Sequence, residues 1–384
     1  MNDLAEVEQS IAALLDVRPY SLPPRERHDA LLELLKRELD YACTRSPQFR
    51  NYMNHWPIAF RSANTIASLP FLPVTAFKAN PPLSLVAASD ITRTLTSSGT
   101  TSQQHSRVVL DAATSRRMIK GVTVIIRDFI GPTRRPYLVV DTPESLRRLP
   151  ELGARGAAIQ ALIPFATEIA CCLRGDPQGV IDLELETLLT CVEKWQKAEV
   201  LVYGFTHMIW TYLVRPLQRN GITLAMPNIH VLHGGGWKRL EQRAVSADVF
   251  VRGVTSVFGC SADRVIDSYG MVENVGVVYP DCEHGHKHVP AFAEVIVRDP
   301  LTLAPVPPGQ LGLLQVCSVL PTSFPGFLLL TEDMAELVGH DGCRCGRRGT
   351  YFRHLQRLPK AEVRGCGNVQ RMPQPQRHAA EIHA

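Results

Sequence analysis

Apolar and polar positions in roughly the first fifty residues alternate with a helical period, clearest in Ala30-Leu31-Leu32-Glu33-Leu34-Leu35-Lys36, with Pro23-Pro24 ahead of that run as a helix starter. A proline-punctuated connector follows through Leu69-Pro70-Phe71-Leu72-Pro73 and Pro81-Pro82. Beyond it, apolar runs of strand length alternate with longer helical patterns. Strands are predicted at residues 137–141, 200–204 and 229–232, and helices at 157–173, 185–197 and 206–219, with a further helix opening at 238–245. This alternation predicts an α/β fold, a mostly parallel sheet with helices packed on its faces. After about residue 269 the texture changes. Short β-type runs at 293–297, 311–316 and 327–330 are separated by Pro, Gly and Asp clusters, which predicts a smaller antiparallel, β-rich subdomain. The polar tail from Val369, dotted with Pro373 and Pro375, predicts disorder. The chain therefore divides into an N-terminal helical region (1–68), an α/β core (69–280), a β-rich subdomain (281–368) and a tail (369–384).

At 384 residues the chain is long enough for more than one core. A hydrophobic content of 45% with 20% charged residues places it among soluble globular proteins. The formal charge of +4 is small, and the basic pairs Arg116-Arg117, Arg134-Arg135, Arg147-Arg148 and Arg347-Arg348 are scattered, so no nucleic-acid surface is expected. The start, Met1-Asn2-Asp3-Leu4-Ala5-Glu6, lacks the basic opening and apolar core of a secretory signal. The longest apolar stretch, 157–173, is interrupted by Gln160, Pro164 and Glu168, whereas a membrane span needs about 20 apolar residues. No span is expected. Ten cysteines in a large chain without a signal predict reduced thiols in a cytoplasmic protein, with metal binding open to some of them.

Candidate chemistry begins at Thr96-Ser97-Ser98-Gly99-Thr100-Thr101-Ser102, between a short β-type run and Ser106-Arg107-Val108-Val109-Leu110. Hydroxyls, a glycine and successive backbone N–H groups in one turn make a concave donor surface suited to phosphate oxygens. Three further clusters fall where predicted strands end: Tyr203-Gly204-Phe205-Thr206-His207, Gly234-Gly235-Gly236-Trp237-Lys238 and Tyr269-Gly270-Met271-Val272-Glu273. Ligands of open α/β sheets sit beyond the carboxyl ends of the strands. Glycines there let a backbone approach a flat ligand, and Glu273 suits a divalent cation bridging phosphates. Separately, Cys282 and His288, six residues apart, and Cys343-x-Cys345 frame the β-rich subdomain. Three thiolates and an imidazole meet the needs of a tetrahedral structural zinc, with His284 and His286 as competing ligands. Cys366 has Arg364 two residues before it, and a nearby cation favours the thiolate. The other histidines, His207 and His233 included, read as satisfied structural residues.

The order S-S-G-T-T, G-G-G-W-K, Y-G-M-V-E, Thr331-Glu332-Asp333 and Arg357 before Arg364-Gly365-Cys366 resembles the adenylate-forming ligases. Within them the chain is most similar to the acyl-protein synthetase branch, known from the fatty acid reductase of luminous bacteria, and to its phenylacetate–coenzyme A ligase relatives. Leu72-Pro73-Val74-Thr75-Ala76-Phe77-Lys78 also matches that branch, and the similarity runs from about residue 69 to 368. The resemblance implies the large domain of that fold, ATP and magnesium as cofactors, and a carboxylic acid, fatty or aromatic, as substrate. It implies that Ser97, Ser98, Gly99, Thr100 and Thr101 embrace the ATP phosphates. Gly234, Gly235 and Gly236 with Tyr269, Gly270 and Met271 would line the adenine pocket. Glu273 would bind magnesium, Asp333 would accept from the ribose hydroxyls, and Arg357 would contact the same nucleotide. Tyr203, Gly204 and Phe205 would border the acyl pocket. It also selects His288 as the metal's imidazole and Cys366 as the acyl-accepting thiol, from which the acyl group would pass to a partner such as an acyl reductase.

Two positions depart from the family pattern. Ser102 replaces the glycine that closes the phosphate loop, with no lysine soon after, and Gln356 stands where a glycine precedes the arginine. Less than a domain's length of chain follows Arg357, so the mobile lid with its catalytic lysine is expected to be missing, and Lys238 is a candidate substitute cation. Two other readings stay open: an adenylating enzyme that passes the acyl group to coenzyme A or a small nucleophile, and a catalytically silent nucleotide-binding scaffold.

Overall fold

The chain, seen here in a computed structural model, is described over residues 2–57, 59–97, 105–147, 151–176, 178–237 and 244–357. It opens with helices Asn2–Asp16, Pro24–Arg45 and Pro47–Asn54. Pro24 and Pro47 stand in the first turns of the second and third, where a missing N–H costs nothing and the fixed φ suits the helix. The apolar stripe Leu31, Leu34, Leu35, Leu39 and Ala42 is the buried face of the second helix.

Five parallel strands make the central sheet, in the order Val265–Tyr269, Ile229–Gly234, Val200–Phe205, Arg135–Val139 and Ala166–Cys171. Tyr279–Pro280 adds antiparallel at one edge. Every position of Val200–Phe205 is buried, as expected of a parallel strand covered on both faces. Parallel strands bring their carboxyl ends to one edge, so Tyr269, Gly234 and Phe205 emerge side by side, with Gly234 in register with Phe205 and Ser268.

A second sheet is mostly antiparallel, in the order Lys287–His288, Thr350–Arg357, Leu328–His340, Leu311–Ser318 and Ala293–Arg298, with Leu72–Pro73 pairing parallel to Leu328–His340. A third holds the hairpin Arg93–Thr96 and Arg107–Leu110, with Glu151–Gly153 parallel to its first strand. Among the described residues no helix is long and apolar enough to cross a membrane.

Two predicted elements differ. Residues 157–173 form helix Ala154–Ala161, a 3-10 turn Ile163–Phe165 and strand Ala166–Cys171 rather than one helix. Pro164 has no N–H to continue the ladder, and pairing with Arg135–Val139 then claims the apolar residues beyond it. The run 206–219 is helical throughout, but Ile209–Val214 is a π-helix. Pro216 lacks an N–H and clashes with the carbonyl four residues back, which re-registers the preceding turn. Of the helix predicted to open at 238–245, residues 238–243 lie outside the described residues. Residues 244–246 are not helical, and the next helix is Ala247–Phe258, capped by Ser246, whose hydroxyl accepts from Val249 N.

Candidate functional site

The carboxyl edge of the central sheet gathers the three glycine-bearing clusters. Phe205 is buried and Tyr203 lies below it in the same strand. The chain turns out of Gly234 through Gly235 and Gly236, at φ +73° and +57°, torsions that side chains with a Cβ rarely adopt. A Cβ on Gly235 would stand 3.1 Å from the Phe205 ring, whereas one on Gly236 would meet nothing among the described residues. Tyr269 ends the next strand, and Gly270 beyond it is exposed.

Tyr269 reaches across to the second sheet. Its hydroxyl donates to Asp333 Oδ2 at 2.8 Å, and the Asp333 N–H donates to Thr331 Oγ1 at 3.1 Å. Burial, reinforced by the Asp333 carboxylate, pushes the phenol well above its ordinary value, so it stays protonated and donates. Arg357 is the register partner of Asp333; its side chain lies outside what is described. His354, three residues earlier, stacks on Tyr269 with ring centroids 4.2 Å apart, and its buried Nε2 has no hydrogen-bond partner among the described residues. Burial lowers its pKa, which keeps the ring neutral. Glu273 follows on the loop after Tyr269 and is 5% exposed.

That loop is tied through a helix to the hairpin Arg93–Thr96 and Arg107–Leu110. Strand Arg107–Leu110 leads directly into helix Ala112–Ile130, where Asp111 Oδ1 accepts from Thr114 N at 2.7 Å as the cap. Gly121 of this helix abuts the loop so closely that a Cβ would fall 2.5 Å from the Gly276 carbonyl oxygen. The hairpin's base is closed by Ser97 N donating to Ser106 O and Ser106 N donating to Ser97 Oγ, both at 3.0 Å. Ser97 Oγ thus serves as an acceptor within the hairpin. Ser98, Gly99, Thr100 and Thr101 lie outside the described residues, as do Lys238, Arg364, Cys366 and the tail.

Cys282, His288, Cys343 and Cys345 come together, with one ligand atom from each lying within 4.8 Å of the others. Cys282 Sγ and Cys343 Sγ are 3.9 Å apart, and Cys345 Sγ is 3.1 Å from His288 Nε2. With metal–sulfur bonds of about 2.3 Å, a tetrahedron has sulfur–sulfur edges of roughly 3.8 Å, so the thiol spacing fits zinc and is far too long for a disulfide. Burial pushes the Cys282 thiol up to about 12 and the His288 imidazole down to about 4. A cation is what stabilises thiolates and uses a neutral imidazole in such a place. His286 approaches Cys343 Sγ at 3.4 Å through Nδ1, but its Nε2 meets Arg353.

Beside this cluster lies a network that the sequence does not advertise. Lys287, 2% exposed, pairs with Asp267 at 2.9 Å and Asp281 at 3.0 Å. Burial opposes its charge, yet the two carboxylates outweigh burial and hold its pKa above the ordinary value. Burial likewise works to raise Asp267, but Lys287 and His233 prevail and draw it down to about 2. Asp267 Oδ1 is 3.4 Å from His233 Nδ1, which Thr206 Oγ1 meets at 3.0 Å. Thr206 also donates to the Gly234 carbonyl at 3.1 Å. His354, Lys287 and Asp267 were therefore missed by sequence reasoning, and His233 is tied into the site's frame. Only period-two alternation in their strands hinted at inward-facing side chains.

The family model described as acyl-protein synthetase, LuxE, matches residues 3–373. A long-chain-fatty-acid–luciferin-component ligase of Aliivibrio fischeri is 23% identical over 330 residues, 83% of this chain and 82% of that one. A protein of the same description from Vibrio harveyi is 28% identical over 140 residues, so the match spans only 36% of either chain. Among solved structures, an open conformation of 2-hydroxyisobutyryl-CoA ligase, in complex with 2-HIB-AMP and CoA, matches with a TM-score of 0.66 and 18% identity, covering 88% of this chain and 76% of that chain. At that identity the likeness establishes the α/β fold of the adenylate-forming ligases.

Proposed function

Because the chain belongs to the acyl-protein synthetase, LuxE, family, we propose that it is a ligase that activates a carboxylic acid with ATP and passes the acyl group through Cys366 to a partner protein. The observation that carries this reading is the Tyr269–Asp333 hydrogen bond, which joins the Y-G-M-V-E cluster of one sheet to the T-E-D cluster of another at the edge where Gly234, Gly235 and Gly236 emerge. The acid's carboxylate attacks the α-phosphorus of ATP, and the bond to the bridging oxygen breaks. Acyl-AMP and pyrophosphate result. The Cys366 thiolate then attacks the acyl carbonyl, AMP leaves, and a thioester remains for transfer to the partner, for which an acyl reductase is the model.

In this scheme Ser97, Ser98, Gly99, Thr100 and Thr101 hold the phosphates, and Asp333 takes the ribose hydroxyls beside Arg357. Gly234, Gly235, Gly236, Tyr269, Gly270 and Met271 flank the adenine, with His354 extending that aromatic wall. Tyr203, Gly204 and Phe205 border the acid. Glu273 would hold a magnesium ion, which when bound would supply charge neutralisation for the leaving pyrophosphate. Both named relatives carry long-chain fatty acids in their descriptions, so a fatty acid is the first substrate to try. Acid-dependent ATP–pyrophosphate exchange across fatty and aromatic acids tests the reading. Exchange with at least one acid is expected, and none with any of them, in folded protein, overturns it.

Zinc belongs at Cys282, His288, Cys343 and Cys345, where it cross-links the loop before Lys287–His288 to the turn 341–349. Chelation is expected to lower the melting temperature by roughly 5–10 °C, since several kcal/mol of ligation are lost and each moves a large domain by roughly 2 °C. His288→Ala should reproduce that shift without chelator and His286→Ala should not. Equal effects would reassign the imidazole ligand. The described cysteines are all free thiols, which suits a reducing compartment such as the cytoplasm.

A further inference from the structure

We propose that Lys287 is a positioning residue that couples the Cys282, His288, Cys343 and Cys345 metal centre to the glycine turn at the carboxyl edge of the central sheet. The inference rests on the preceding reading only where that turn is taken as part of the nucleotide site. Lys287 and the metal ligand His288 form a two-residue strand, in register with Phe352 and Tyr351. Successive side chains of a strand point to opposite faces, so one backbone segment presents His288 to the metal and Lys287 to the central sheet. Fixing one fixes the other.

From the Lys287 ammonium the contacts run without a break. It pairs with Asp267 at 2.9 Å; Asp267 meets His233 at 3.4 Å; His233 meets Thr206 at 3.0 Å; and Thr206 donates to Gly234 O at 3.1 Å. His233 is the residue before Gly234, Asp267 lies two residues before Tyr269, and Thr206 follows Phe205. The chain of contacts therefore ties together the ends of three adjacent parallel strands. Asp281, at 3.0 Å on the other side, gives the ammonium a second anchor on the sheet's antiparallel edge. The lysine side chain is 3% exposed, while those of Asp267 and Asp281 are 43% and 29% exposed. Without the lysine the two carboxylates turn to solvent and repel one another, and the brace between the strand ends is lost. A buried amine held by two carboxylates does not tolerate much displacement, because desolvation penalises any geometry in which a partner moves away. Loss of the metal releases the backbone that places it.

The test uses the full chain in four forms, wild type and Lys287→Met, each zinc-loaded and zinc-stripped, with zinc content measured for each. Amide hydrogen exchange over residues 229–237 reports the turn directly, and equilibrium binding of Mg·ATP reports its consequence. Zinc-stripped wild type should exchange faster there and bind ATP about tenfold more weakly, an ordinary size for coupling between sites. Lys287→Met should show both changes while still holding zinc, and stripping it should add little. Unchanged exchange at 229–237 in zinc-loaded Lys287→Met overturns the proposal, as does an equal further loss when the variant is stripped. If zinc-free protein unfolds, the two zinc-loaded forms decide. If Lys287→Met does not fold, Asp281→Asn, which removes one anchor, should give a smaller change of the same sign, and none overturns the proposal. Coupling seen by exchange in a protein that binds no ATP keeps the brace and removes the nucleotide reading instead.

Discussion

Replacement of Cys366 by serine is expected to abolish covalent acyl labelling of the protein while ATP–pyrophosphate exchange stays within about twofold of wild type. In the proposed scheme adenylation uses the phosphate donors, the cation and the acid pocket, and this thiol is assigned to none of them. Transfer uses the thiolate, and a serine hydroxyl is almost never ionised at neutral pH, so attack on the acyl carbonyl stops rather than slows. No described thiol is suited to replace it. Burial pushes Cys171 up to about 12 and also raises Cys43, Cys172, Cys191, Cys260 and Cys317. Cys282, Cys343 and Cys345 are grouped as metal ligands. The measurement is labelled fatty acid with ATP, followed by denaturing gel analysis and release by hydroxylamine, alongside exchange on the same samples. Persistent hydroxylamine-sensitive label in the serine variant places the acceptor on another residue of the chain, whereas exchange without any protein label in wild type brings coenzyme A or a small nucleophile forward as the destination. Loss of exchange together with label gives Cys366 a structural role in adenylation.

The parallel sheet was legible because buried parallel strands read as unbroken apolar runs; Val200–Phe205 and Ile229–Gly234 need no partner information to be recognised. The glycine turns were legible for a related reason, since strand-end glycines mark places where the backbone must turn sharply. The candidate metal ligands were legible as types, since cysteine pairs with histidine suggested them, but spacing alone left His286 and His288 open; in the fold His288 is the imidazole grouped with the three thiols. What escaped was set by tertiary pairing. Strand Ala166–Cys171 looks like the continuation of a helix until Arg135–Val139 is beside it. Lys287 sits in a histidine-rich loop that reads as solvated, and its burial depends on Asp267 and Asp281, which are distant or weakly patterned. His354 is one polar residue in an alternating strand, and nothing local says that Tyr269, 85 positions earlier, will stack on it (354 − 269).

Glu273→Gln should lower the maximal rate of pyrophosphate exchange by about 10³-fold, with a partial recovery as magnesium is raised. Glutamine keeps the size of the side chain and one carbonyl oxygen but removes the charge, and a neutral amide is a poor ligand for a small, hard cation. Negative charge moves onto the pyrophosphate oxygens as the bond to the α-phosphorus breaks, so a cation held at that point stabilises the transition state more than bound ATP. The loss therefore belongs mainly in the maximal rate rather than in ATP affinity. Glu273 is 5% exposed, and a charge moved that far from water gains more from an adjacent cation than a surface carboxylate does. Asp333 is a less discriminating target, because its removal also strands the Tyr269 hydroxyl that donates to it, at a cost of about 1–3 kcal/mol to the fold. The glutamine variant separates the two effects. Exchange kinetics across a magnesium series, read beside the melting temperature, decide between them: a collapsed rate in a protein that melts normally assigns Glu273 to the cation, whereas a rate that falls only in step with stability, or an ATP affinity that absorbs the whole loss, removes it from that role.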